Sequence, residues 1–237
     1  MTALTPVHRR RLREVWRSAG WPCHDLIELD LLAGGLLERV PQANGRETLR
    51  VTDTGVQVLA ETRQRNQQAR SAHEALVERV AIEMGRAGRI VWRGLSLRAR
   101  VPTAEGDSWQ VAMPDVFSIR HTTVEDYVEP VVHEIKVNRS DLLTDLRRET
   151  KRAAYLSISS ECWYVVREGI ARADEIPREC GVMVAGETGL DVARPAPRRA
   201  QRLPFAVWMA LARATPAEGR LDDAQLWLGD ADMPLPE

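Results

Sequence analysis

The sequence predicts a mixed α/β chain in two parts, and three observations carry that expectation. The 237 residues are 44% hydrophobic and 28% charged, ordinary proportions for a globular protein with a sizeable core. From residue 71 onward, short β-branched runs and amphipathic helical stretches follow one another instead of being segregated. Ahead of them, residues 1–68 read as a helical segment with one hairpin, bounded by the polar run "TRQRNQQARS", which is too polar for core and is compatible with a helical connector.

Residues 1–68 are expected as helix, helix, helix, short hairpin, helix. "HRRRLREVWRSAG" ends at Gly20, "PCHDLIELDLLAGG" stops at Gly34 and Gly35, and "LLERVPQANGRETLRVT" offers two strands around an Asn44-Gly45 turn. That order is the winged-helix pattern. A further helix starts at Thr54, which has capping-box spacing to Gln57, with Val56, Leu59 and Ala60 on its apolar face.

Residues 69–214 form the second part. "SAHEALVERVAIEMGRAG" is an amphipathic helix with Ala75, Leu76, Val80 and Ile82 inward, and "RIVWRGLSLRARV", "QVAMPDVFSI" and "YVEPVVHEIKV" are strands. "RSDLLTDLRRETKRAAYLSI" is a second helix, buried along Leu142, Leu143, Leu146, Ala153 and Ala154. "CWYVV" and "GVMVA" are short strands, and "PFAVWMALARA" is a last helix before an acidic tail, residues 215–237. The order is α-β-β-β-α-β, with no internal repeat and no low-complexity tract.

Charge is unevenly spread. The chain carries a formal net charge of -1, yet residues 1–20 hold Arg9, Arg10, Arg11, Arg13 and Arg17 against Glu14 alone. Local patches, not the average, set the field that a phosphate meets. No apolar stretch has the length of a signal peptide core or a membrane span, so a cytoplasmic protein without a membrane partner is expected. Cys23, Cys162 and Cys180 have no CxxC spacing and read as packing residues, without a disulfide framework or a zinc site.

The chemistry concentrates in residues 113–137. Side chains alternate along a strand, so Glu134 and Lys136 of "VVHEIKV" share one face while His133, Ile135 and Val137 share the other. Pro114 favours a strand edge or bulge, where bending can re-aim Asp115. If the two strands pair through "RHTTVEDYVE", Asp115 and Glu134 come within range of one divalent cation, and magnesium needs little more than two carboxylates, waters and a phosphate oxygen. Lys136 beside such a site is placed to orient a nucleophilic water or to stabilise charge developing on a phosphodiester, which makes phosphodiester hydrolysis the expected reaction.

Pro114-Asp115, eighteen intervening residues and Glu134-Ile135-Lys136 resemble the PD-(D/E)XK nuclease motif. The surrounding α-β-β-β-α-β order is similar to the restriction-endonuclease-like core of that superfamily, a mixed sheet flanked by helices. The run from "EIKVNRSDLLTDLRRETKRAAYLSISSECWYVV" to "IPRECGVMVA" resembles its MmcB-like bacterial DNA-repair branch. The resemblance covers roughly residues 71–193. It implies a DNA endonuclease using Mg2+ or Mn2+, held by Asp115, Glu134 and the Ile135 main-chain carbonyl, with Lys136 assisting catalysis. It also implies a fourth acid from the first helix of the core, matched by Glu74. Ser71 and Glu74 equally have capping-box spacing, which would give Glu74 a structural task, and Glu78 is a lesser candidate for the same place.

Arg147, Arg148, Lys151 and Arg152 form a basic run, readable as a solvated face or as a stripe holding DNA phosphates. Asp141, Asp145 and Tyr155 fit the family-like pattern without an assigned role, while His133, Trp163 and Tyr164 read as core. The alternative to the nuclease is a non-catalytic winged-helix DNA-binding regulator on a relic nuclease fold. A protein partner for residues 1–68 also stands open, because "CHDLIELDLL" is acidic where DNA favours basic residues, and a homodimer is compatible with all of these readings.

Overall fold

A computed structural model describes residues 4–103 and 106–217; of the acidic tail expected at 215–237, residues 218–237 lie outside the described residues. The chain divides into two compact units, residues 1–70 and 71–237.

In the first unit, Pro6 opens α1, Pro6–Arg17, where its missing N–H costs nothing. His8, Leu12 and Val15 recur at helical spacing and are buried. Asp25 caps α2, Leu26–Ala33, by accepting from the Glu28 N–H at 2.9 Å. Strands β1, Leu37–Pro41, and β2, Glu47–Val51, pair antiparallel around Asn44-Gly45, with Leu37 opposite Val51. Two helices precede this hairpin, not three, because "HRRRLREVWRSAG" and "PCHDLIELDLLAGG" account for all the helix there. Leu12, Val15, Leu31, Leu36, Leu37, Leu49 and Val51 make a core of their own. Gly20 sits at φ +73°, and its carbonyl accepts from the Leu49 N–H at 2.6 Å.

Helix α3 runs unbroken over Asp53–Arg86, 34 residues. The expected start at Thr54 is corrected by one residue, and the polar run at the boundary is a helical connector. Thr52 supplies the cap, its Oγ1 accepting from the Gly55 N–H at 3.1 Å. The polar middle is rich in Gln, Arg and Ala and free of Gly and Pro, so propensity sustains a helix that needs no apolar face there.

The second unit is mixed α/β: a six-stranded mixed sheet with helices packed on both faces. Its strands are β3, Arg89–Arg93; β6, Val116–Arg120; β7, Val131–Lys136; β8, Glu161–Arg167; β9, Gly181–Ala185; and β10, Leu190–Arg194. The spatial order is β10-β9-β8-β7-β6-β3, with β7-β8 and β8-β9 parallel and the remaining pairs antiparallel. Each of the long strands expected at residues 89–101 and 110–119 is divided. The pieces β4, Leu97–Thr103, and β5, Gly106–Ala112, leave the sheet and form a separate two-stranded ribbon.

Leu76, Val77, Val80 and Ala81 of α3 cover one face of the sheet through Val91, Val116, Ile135 and Val165; Ala75, expected inward, is exposed. The other face meets α5, Glu149–Ile158, and α6, Phe205–Arg213. The single helix expected over residues 139–158 is broken: α4, Arg139–Leu146, stops before α5 begins. No Gly or Pro causes that break. Arg152 Nη1 donates to the Leu146 carbonyl at 3.1 Å, and so satisfies an acceptor that the break leaves over. Leu143, expected in the buried stripe, is 40% exposed for the same reason.

Candidate active site

Strand β7 lies inside the sheet and is buried along its whole length; Glu134 and Lys136 have partners there, whereas neither ring nitrogen of His133 has a hydrogen-bond partner among the described residues. Alternation sends Ile135 towards α3 and Val132 towards α5, and Glu134 and Lys136 share the face of Val132. The β6-β7 register ends with Val116 paired to His133, and Asp115 immediately precedes β6.

Glu134 is the hub of a buried network. Its Oε1 accepts from Lys136 Nζ and from Lys151 Nζ, both at 2.6 Å, and its Oε2 accepts from the Tyr155 hydroxyl at 2.8 Å. Lys151 also donates to Asp145 Oδ1 at 2.5 Å, and the Tyr164 hydroxyl donates to Asp145 Oδ2 at 2.9 Å. The Lys151 ammonium lies 5.3 Å from the Tyr155 ring centroid. Two carboxylates and two ammoniums thus balance in charge, which is what allows them to be buried together.

Their environments separate the two lysines. The Lys136 side chain is 6% exposed, against 25% for Lys151. Burial alone would lower the Lys136 ammonium, but Glu134, Asp145 and Asp141 outweigh it and hold it above its ordinary range. Asp145 is pulled by burial towards the neutral acid, yet Lys151 and Lys136 keep it below the usual carboxylate range. Burial, with Glu134 beside it, pushes the Tyr155 hydroxyl up, so it stays a proton donor. Its one proton faces two acceptors, since the Met113 carbonyl lies 2.9 Å away.

Asp115 sits between layers. Following Pro114 and preceding β6, its Oδ2 accepts from the Ile135 N–H at 2.7 Å and lies 3.4 Å from His73 Nε2 on α3. Asp115, through its contact with Nε2, holds the His73 imidazole above its ordinary value despite partial burial. Glu74 is next to it in sequence, 3.7 Å from His73 Nδ1 and 3.6 Å from Arg93 Nη2. Because α3 is continuous, Ser71 and Glu74 lie inside a helix, and the capping-box reading of Glu74 is overturned.

The structure brings Asp115, Glu134, Ile135, Lys136 and Lys151 together, with Glu74 on α3 next to His73, which approaches Asp115. Arg147 and Arg148 are exposed at the α4-α5 junction, whereas Arg152 pairs with Glu179 at 2.9 Å. The four basic residues therefore do not form one stripe: the break between the helices turns Lys151 into the Glu134 network. In the first unit Arg11 pairs with Asp25 at 2.8 Å, Arg10 approaches Glu14 and Arg9 donates to the Leu4 carbonyl, leaving Arg13 exposed. His133 and Trp163 are buried, and Tyr164 is buried with its hydroxyl engaged in the network. Cys162 and Cys180 are buried, but Cys23 is exposed and is not a packing residue.

Sequence reasoning left Asp145 and Tyr155 without roles, gave Lys151 a different one and passed over His73. The i, i+4 spacing of Lys151 and Tyr155 was a readable signal that both face one direction. The junction that aims them at Glu134 has no local signature.

By donor type, Asp115, Glu134 and the Ile135 carbonyl fit a hard cation. Among the described residues no group of three or more His, Cys, Asp or Glu side chains stands ready to hold a metal ion. Oε1 of Glu134 already has two donors and Oε2 one, so a cation there would take the remaining lone pair of Oε2 or displace an ammonium from Oε1.

No protein-family model matches the chain, and no curated protein matches it. Among solved structures it is similar to the SPO1766 protein of unknown function from Silicibacter pomeroyi, with 19% identity and a TM-score of 0.36, over 62% of this chain and 87% of that one. At those values the likeness fixes neither fold nor chemistry. Among the described residues no helix is long and apolar enough to cross a membrane.

Proposed function

We propose that the chain is a divalent-metal-dependent DNA endonuclease of the PD-(D/E)XK type, with a restriction-endonuclease-like core and a winged-helix first unit, acting in DNA repair or processing. The observation that carries this reading is the buried Glu134-Lys136 pair on a central strand, with Asp115 Oδ2 accepting from the N–H of Ile135 between them. A buried ion pair is seldom retained for stability alone, since an apolar replacement often does as well. Perturbed, tightly coupled charges of this kind are more typical of working sites.

In this reading Asp115, Glu134 and the Ile135 carbonyl hold Mg2+ or Mn2+, which when bound would polarise the phosphodiester and lower the pKa of a coordinated water. Of the two ammoniums on Oε1 of Glu134, Lys151 is the more exposed and would be the one to yield if the cation were held there. Lys136 stays in place and supplies a fixed positive charge where negative charge develops on the phosphate during attack. Tyr155 and Asp145 are positioning residues, the first holding Glu134 Oε2 and the second restraining both ammoniums. Glu74 is a further acid that the resemblance implies.

A second reading has one observation in its favour. The Glu134 network is closed and balanced in charge without any ion, as expected of a non-catalytic DNA-binding chain on a relic nuclease fold. Incubating the purified chain with duplex, nicked, branched and single-stranded DNA in Mg2+ and in Mn2+ decides between them. The nuclease reading expects cleavage that EDTA abolishes and that Asp115→Asn lowers at least about a hundredfold, as loss of a metal-site partner does. Cleavage at the parent rate by Asp115→Asn, or no cleavage of any substrate, sinks it.

A further inference from the structure

The β4-β5 ribbon has one face that the fold uses and one that it does not. Leu97, Ala99, Val101 and Ala112 point inward and belong to the core under α5 and α6. The register puts Arg98 opposite Val111 and Arg100 opposite Trp109, and cross-strand partners share a face. Arg98, Arg100, Trp109 and Val111 are therefore together on the outer side, all exposed, with exposed Met113 next along the row. Outward positions on a ribbon packed on one side are ordinarily polar. Here Trp109 is 56% exposed and Val111 63%, at alternate positions beside two guanidinium groups.

We infer that this outer face binds a single strand of DNA, with Trp109 stacking on an unpaired base and Arg98 and Arg100 meeting backbone phosphates. The inference rests on the nuclease reading for its choice of DNA. The chemistry argues for a single strand: every base offers a π-face to tryptophan, but only when it is unstacked from its neighbours, and arginines flanking such a platform supply the backbone contacts. Charge complementarity supports it. Arg98 has no ion-pair partner among the described residues, and the Arg100 pair with Asp107, at 2.9 Å, is exposed on both sides, so phosphate competes for it readily. Continuity supports it too. Three residues after Ala112 comes Asp115, a reach of at most ~10 Å, and the Met113 carbonyl accepts from the same Tyr155 hydroxyl that holds Glu134. A strand lying on the ribbon is next to the candidate site.

The test is binding of a labelled single-stranded oligodeoxynucleotide by the full chain in EDTA, beside its duplex and a ribo-oligonucleotide of the same sequence. The parent should prefer the single-stranded DNA. Trp109→Ala should weaken that binding about tenfold and Trp109→Phe recover most of it. Arg98→Ala and Arg100→Ala should each make the logarithmic salt slope shallower by about 0.7. All four substitutions are on the solvent face, and circular dichroism would register any loss of fold. Unchanged affinity in Trp109→Ala, no binding by the parent at low salt, or tighter binding of duplex or RNA overturns the inference. So does loss of self-association in Trp109→Ala at unchanged DNA affinity, since the face would then join two copies of this chain. Binding in EDTA needs no chemistry, so a chain that binds through the ribbon but never cuts counts against the nuclease reading alone.

Discussion

Glu134 is where the second unit concentrates its buried charge. Two ammoniums and a phenol converge on it, so replacing it with the isosteric Gln leaves Lys136 and Lys151 facing one another with only Asp145 as a buried counter-charge. Shape alone suggests a silent change; burial predicts otherwise. Glu134→Gln is expected to lower the unfolding free energy by about 3 kcal/mol, the usual cost of breaking a buried pair from one side. Asp115 is half-buried and its role towards the Ile135 N–H can be taken over by an amide oxygen, so Asp115→Asn should cost no more than about 1 kcal/mol. Urea denaturation of the two variants checks this, and equal stabilities would mean that the Glu134 network contributes nothing. Asp115→Asn is accordingly the cleaner probe of cleavage.

Among elements, α3 continues through the polar boundary as a helical connector sustained by propensity, whereas α4 and α5 separate where one continuous helix was expected. That break has the larger chemical effect, because the change of direction at Arg147-Arg148 carries Lys151 to Glu134. A turn with strict local geometry behaves differently. Gly20 holds a positive φ, and a Cβ there would stand 2.0 Å from the Leu49 carbonyl oxygen. Gly20→Ala should therefore destabilise the first unit by at least about 2 kcal/mol, from left-handed backbone strain together with that collision. Thermal melts of parent and variant measure it, and a change below half that size would mean that the loop can move away from β2.

At the scale of the molecule, the first unit has one core, centred on Leu12, Leu31, Leu37, Leu49 and Val51, and the second has a core on each face of its sheet. A fragment of residues 1–68 is expected to fold alone and to bind duplex DNA weakly. With Arg10 and Arg11 near acids and Arg9 turned to a main-chain carbonyl, Arg13 and Arg17 remain the exposed cations of α1 without an ion-pair partner among the described residues. Two phosphate contacts correspond to a logarithmic salt slope of about -2. Circular dichroism and titration with labelled duplex at several salt concentrations read both points. A folded fragment with no binding at low salt would favour a protein partner, for which exposed Leu26 and Leu29 on acidic α2 offer a surface.

The sequence by itself determined what depends on short-range regularity. Period-two alternation put Glu134 and Lys136 on one strand face and His133 on the other, and the Asn44-Gly45 turn and the glycine stops marked the hairpin and helix ends. Strand-like and helix-like stretches in mixed order announced the mixed α/β second unit. Where the chain leaves the sheet to make the β4-β5 ribbon, where α5 departs from α4, and that Lys151, Tyr155 and Asp145 close around Glu134 were set by tertiary packing. The last of these depends on side chains 11 to 21 positions from Glu134 in sequence converging on one buried carboxylate network. The cost of leaving any of those charges unpaired in the core is larger than a residue's local preference for helix or turn, so tertiary pairing prevails over propensity at this place.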